Sequence, residues 1–152
     1  MFKLKKILCP TDFSETAFEA LKYAIGLARS TRSRLILMYV VNQKMFSEGL
    51  SLARVNSPEA LGKEMADEAR RRLKMLIPVE ERDGIDWETN IRSGNPAQEV
   101  IRYAKENNID MIVIGTAGHS GVDRMMFGST AEKVVRGAHC PVLTVRPPAT
   151  NS

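Results

Sequence analysis

Residues 35–41, LILMYVV, form a near-continuous apolar run with no polar face. A strand on a solvated sheet alternates apolar and polar positions; one that is apolar throughout is covered on both sides. A run of this kind demands helices above and below its sheet. Shorter apolar stretches recur at 6–10, 111–115 and 141–146. Residues 86–92 instead alternate Trp87, Thr89 and Ile91 with polar neighbours, as expected of a strand nearer an edge with one wetter face.

Helical spacing fills the intervals. Ala17, Ala20, Leu21, Ala24, Leu27 and Ala28 make one face, and Leu61, Met65, Ala69, Leu73 and Leu76 make a second. Val100, Ile101 and Ala104 mark a third helix, and Ala131, Val134, Val135 and Ala138 a fourth. Ser57-Pro58 reads as an N-cap followed by proline at the first helical position, and Asn95-Pro96 opens the third helix. Residues 43–56 lack periodicity and read as a loop. The order βαβαβαβαβ predicts a single doubly wound α/β domain with a parallel sheet and right-handed crossovers. Residues 1–146 are expected to form that domain and 147–152 a short tail.

At 152 residues, 43% hydrophobic and 26% charged, the chain suits one globular domain. The longest apolar run is far too short to span a bilayer. The start, Met-Phe-Lys-Leu-Lys-Lys, lacks the apolar core and cleavage site of a signal peptide, so a cytoplasmic location is expected. Two cysteines, Cys9 and Cys140, are too few for a disulfide scaffold and read as small, mostly buried residues. No CxxC and only two histidines, His119 and His139, argue against zinc. Net charge is +4, but Arg70-Arg71-Arg72 is the one dense basic cluster, and it follows Glu64, Asp67 and Glu68 on a helix. Pairing within the helix makes it a solvated face rather than a nucleic-acid surface. Trp87 and the methionines Met38, Met65, Met75 and Met111 stand at core-compatible spacing.

Gly115-Thr116-Ala117-Gly118, nine residues, then Gly128-Ser129-Thr130 carries the chemistry. Glycines where a buried strand leaves the sheet permit positive φ and close approach of a ligand to the backbone. Ser129-Thr130-Ala131-Glu132 has the pattern of a capping box, and a helix start attracts anions. Ligands of doubly wound sheets bind outside the carboxyl ends of the strands where strand order reverses. Pro10-Thr11-Asp12 leaves the first strand toward such a place, with a carboxylate able to accept from sugar hydroxyls. Asp12 also has a plainer reading as the cap of the first helix, through Asp12-Phe13-Ser14-Glu15. No Walker A sequence and no GxGxxG after the first strand occur. The pattern calls for a different kind of nucleotide site.

Lys6 to Ser14 (KILCPTDFS), the Gly-x2-Gly-x9-Gly-Ser spacing and the closing Cys140-Pro141-Val142-Leu143-Thr144-Val145 together resemble the universal stress protein family over essentially the whole chain. The resemblance implies a five-stranded parallel sheet of order 3-2-1-4-5, with helices on both faces. The intact glycine motif is similar to that of the ATP-binding branch. By that resemblance Asp12, with Pro10 and Thr11, would hold the ribose and adenine side, and Val40 would meet adenine through its main chain. Gly115, Gly118 and His119 would line the ribose and phosphate path. Gly128, Ser129 and Thr130 would hold the phosphates of ATP, with Mg2+ or Mn2+ bridging them. A homodimer through the last strand, residues 142–145, is also implied.

Three functions follow from these residues: a nucleotide-dependent stress or signalling module, a slow metal-dependent ATPase, and a nucleotide-free dimeric interaction protein. His119, Asp123 and Arg124 are the loop's titratable groups, but their spacing forms no catalytic constellation. Met125-Met126-Phe127 reads as a lid on the ligand or a contact with a partner subunit.

Overall fold

The computed structural model describes residues 2–42, 57–117 and 127–148. The strands are β1 (Lys6–Pro10), β2 (Arg34–Val41), β3 (Asp86–Ser93), β4 (Met111–Gly115) and β5 (Val142–Val145). The helices are α1 (Glu15–Thr31), α2 (Pro58–Met75), α3 (Pro96–Glu106) and α4 (Ser129–Gly137), with a 3-10 turn at Val79–Glu81. All four strand pairings are parallel, in the order β3-β2-β1-β4-β5. Strand order therefore reverses between β1 and β4.

Alternate residues of each central strand feed two cores. Ile7, Cys9, Leu35 and Leu37 pack with Ala24 of α1 and Leu73 of α2 on one face. Leu8, Ile36 and Met38 pack with Val100 of α3 and Val134 of α4 on the other. That division explains why β2 reads as apolar at every position. Each fully buried Leu or Ile here contributes about 1.5–3 kcal/mol relative to exposure. β3, an edge strand, shows the expected asymmetry: Trp87 and Ile91 pack on the first core. Glu88 and Arg92 pair with Arg34 and Glu99.

Two expected core positions lie outside the core. Met75 is 79% exposed at the end of α2, and Val135 is 45% exposed on α4. Both stand next to a stripe residue, and one step along a helix rotates a side chain about 100°.

Helix starts follow local chemistry. Ser14 caps α1 by accepting from the Ala17 N–H at 3.2 Å, Ser57 caps α2 from Ala60 at 3.1 Å, and Asn95 caps α3 from Gln98 at 3.1 Å. α4 differs. Its N-cap is Gly128, and no side chain caps it. The capping box expected from Ser129 to Glu132 is not formed, because Ser129 is already the first helical residue.

Candidate functional site

Asp12 does not cap α1. Instead its Oδ1 accepts from the Ser14 N–H at 2.9 Å, while the Thr11 Oγ1 accepts from the Phe13 N–H at 3.0 Å. Side-chain acceptors two residues ahead of their donors are the Asx and Ser/Thr turns that fold short loops. They hold Phe13 at φ +65°, a left-handed conformation rare for a bulky residue. The Thr11 N–H donates to the Met38 carbonyl at 2.9 Å, which ties this loop to β2.

The other loop is pinned at both ends. The Thr116 N–H donates to the Val145 carbonyl at 2.8 Å, and the Gly128 N–H donates to the Thr116 carbonyl at 2.6 Å. The chain thus returns to the end of β4 at the point where α4 begins. Ser129, Thr130 and Ala131 direct their N–H groups out of the first turn, and these find no acceptor among the described residues. Thr116 is buried, and its Oγ1 has no hydrogen-bond partner among the described residues.

Between the two loops lies a cavity of about 410 Å³, at the carboxyl ends of β1, β2 and β4. Pro10, Thr11, Asp12, Val40, Gly115, Gly128, Ser129 and Thr130 all line it. Gly118 and His119 lie outside the described residues, as do Asp123, Arg124, Met125 and Met126. Phe127 is 48% exposed beside Gly128.

The conformational reason expected for the glycines takes a different form. Neither Gly115 nor Gly128 adopts positive φ; Gly128 sits at φ −67°. A Cβ on Gly115 would stand 2.8 Å from the Thr16 Cγ2 and 3.1 Å from that residue's backbone carbonyl carbon and oxygen. What Gly115 admits closely is α1.

Among the lining residues that escaped the sequence are Phe13, Tyr39 and Arg72. The Phe13 and Tyr39 ring centroids are 5.0 Å apart, and the Arg72 guanidinium lies 3.9 Å from the Phe13 centroid. Burial pushes the Tyr39 phenol up from its ordinary value, with Arg72 opposing the shift and Asp12 adding to it. Arg72 was foreshadowed only by its place beside Leu73, three residues beyond Ala69 and seven beyond Met65. A long side chain flanking a buried stripe can lay its stem along apolar surface and carry its head to a cavity rim.

The molecule is a doubly wound parallel α/β domain with a cleft at its switch point. The chain belongs to the universal stress protein family, whose model matches residues 3–146. It is 36% identical over 144 residues to universal stress protein MJ0531 of Methanocaldococcus jannaschii, covering 95% of this chain and 83% of that one. Against YxiE of Bacillus subtilis the identity is 33%, over 93% of this chain and 98% of the relative. The solved structure of MJ0577 superposes with a TM-score of 0.81 at 27% identity, covering 96% and 98% of the two chains. Two more distant structures share the fold. One is a universal stress protein in complex with cAMP (TM-score 0.62, 21% identity, 96% and 99% covered). The other is the Archaeoglobus fulgidus protein in complex with dAMP (TM-score 0.64, 20% identity, 95% and 99% covered).

Proposed function

We propose that this chain is an ATP-binding universal stress protein, a module whose nucleotide occupancy changes its conformation or its choice of partner. One observation carries the reading: of the four described helices, the only one without a side-chain cap opens on the cavity, across from Asp12. Free N–H groups at a helix start, with the macrodipole behind them, suit phosphate. Asp12 on the opposite wall suits ribose hydroxyls or the adenine edge. A volume of about 410 Å³ is ordinary for a small-molecule site. Relatives of the same fold in complex with cAMP and dAMP support an adenine nucleotide as the ligand class.

In this reading Pro10, Thr11, Asp12 and the Val40 main chain hold the nucleoside. Gly115, Gly118 and His119 follow the phosphate path, and Gly128, Ser129 and Thr130 take the phosphates. Among the described residues no cluster of three His, Cys, Asp or Glu side chains is able to hold a metal. In this reading Mg2+ or Mn2+ would come with the nucleotide. His119, Asp123 and Arg124 lie outside the described residues, and the reading stays with binding.

Calorimetric titration with ATP and Mg2+ tests this. Micromolar-range binding is expected, weakened about tenfold, or about 1.4 kcal/mol, in Asp12→Ala and in Gly118→Val. Asp12→Asn separates the two jobs of the carboxylate, because it keeps the acceptor for the Ser14 N–H. It should match wild-type stability while still binding ATP more weakly. Affinity unchanged in both Asp12→Ala and Gly118→Val would overturn the site.

The reading extends to a homodimer paired along β5, an edge of the sheet. An apolar edge strand invites association, and a two-fold contact closes it. Light scattering should give twice the 16.9 kDa chain mass; a monomer at high concentration counts against it.

A further inference from the structure

The three consecutive arginines of α2 have different fates. Arg70 and Arg71 bridge Asp67 and Glu68 at 3.0 and 2.6 Å on the exposed face. Arg72, turned a further 100°, pairs with no carboxylate among the described residues and lies on the Phe13 ring instead. It is the one cation among the described residues that line the cavity.

Phe13 is held for this contact at a cost. A bulky residue in the left-handed region gives up about 1–2 kcal/mol per position. The Thr11 and Asp12 acceptors fix that conformation, and the ring it places is packed on one side by Tyr39 and covered by Arg72. The position is also informative. α2 packs on β2 and β3, on the face of the sheet opposite α3 and α4. Arg72 therefore enters the cavity from the side away from the α4 start, where the phosphates would sit.

We propose that Arg72, seated on Phe13, is the platform on which the base of the bound nucleotide stacks. The inference rests on the reading of the cavity as an adenine-nucleotide site. Guanidinium is planar, delocalised and weakly hydrated, and flat π-systems stack on it as they do on aromatic rings. With one face resting on Phe13, it has lost much of its side-chain freedom before a ligand arrives, so less ordering remains to oppose binding. A platform of this kind acts on the base and is indifferent to the number of phosphates. A cation acting through charge on the phosphates would have the opposite signature.

The test titrates AMP, ADP and ATP into the wild-type protein, Arg72→Gln and Arg72→Lys, each at low and high salt. Arg72 is exposed on a helix, so both variants should fold, and Arg72→Gln should lose no more stability than the contact with Phe13 supplies, about 0.5–1 kcal/mol. Both should bind all three nucleotides about tenfold more weakly, by the same factor for each and at either salt concentration. Arg72→Lys is the decisive variant, because it keeps the charge and loses the plane. A loss that grows from AMP to ATP, or that lysine restores, would overturn the platform in favour of a charge contact. Unchanged affinity in both variants would remove Arg72 from the site altogether. Wild-type protein that binds none of the three fails at an earlier step, by overturning the nucleotide reading itself.

Discussion

Gly115 and Gly137 both lack room for a side chain, yet they predict opposite outcomes. At Gly115 the obstruction is partly backbone: an added Cβ meets the Thr16 carbonyl carbon and oxygen at 3.1 Å as well as its Cγ2 at 2.8 Å. α1 would have to lift from the end of β4. Overpacking of this kind costs about 1–3 kcal/mol, so Gly115→Ala should lower the urea midpoint by a corresponding amount. Adding Thr16→Ser should recover only part of the loss, since the backbone contacts remain. At Gly137 the obstruction is the Ile101 Cδ1 at 2.7 Å, the free end of a flexible side chain. Rotating that methyl aside costs about as much as alanine gains over glycine in a helix, each about 1 kcal/mol or less. Gly137→Ala should therefore leave the midpoint nearly unchanged. A severe loss at Gly137, or none at Gly115, would mean that these helices sit differently on the sheet.

The four described helices begin in two ways, and that difference joins fold to site. α2 and α3 each carry proline at the first helical position, Pro58 and Pro96, behind a capping Ser57 and Asn95. Such starts are legible because the residue types that favour them act locally. The start of α4 was harder to read. Ser129-Thr130-Ala131-Glu132 satisfies a capping-box pattern, but the Gly128 N–H is bonded to the Thr116 carbonyl, and that tertiary contact sets the frame one residue earlier. At α1 the frame is set locally instead: Asp12 accepts from the Ser14 N–H within the loop, and Ser14 caps the helix. Eight of the ten site residues read from sequence line one cavity because strand ends and the glycine spacing place them there. Arg72 did not declare itself, since its role depends on the ring that a strained loop sets beneath it. The α4 start also gives a direct test of the donors. Gly128 at φ −67° and ψ 158° has the backbone that precedes proline, so Ser129→Pro should keep the helix while deleting one N–H. With Ser129→Ala as control for the lost hydroxyl, the proline variant should bind ATP about tenfold more weakly with little change in stability. Equal affinity in the two variants would show that the first-turn N–H does not touch the ligand.

Across the whole molecule, the sheet that creates the switch point also buries the middle of its central strands, and this ties stability to pH on the alkaline side. Cys9 lies in the middle of β1, packed in the core beneath α1. Burial pushes its thiol from an ordinary 9.0 up to about 12. The folded state thus keeps a proton that the unfolded chain releases first. Between pH 9 and 12 the native state binds more protons, so stability falls as pH rises through that window, and below pH 9 the full contribution is present. At about 1.4 kcal/mol per pH unit, this one thiol should remove about 3 kcal/mol by pH 11. Tyr39 and Tyr103 are shifted in the same direction by burial and add to the alkaline loss. The clean measurement is therefore a comparison of slopes. Cys9→Ala should start less stable, because a packed side chain is trimmed, yet lose less stability than the wild type between pH 9 and 11. Parallel slopes for the two proteins would show that the folded state holds the Cys9 proton no more tightly than the unfolded chain does, and that burial in β1 does not govern the alkaline loss.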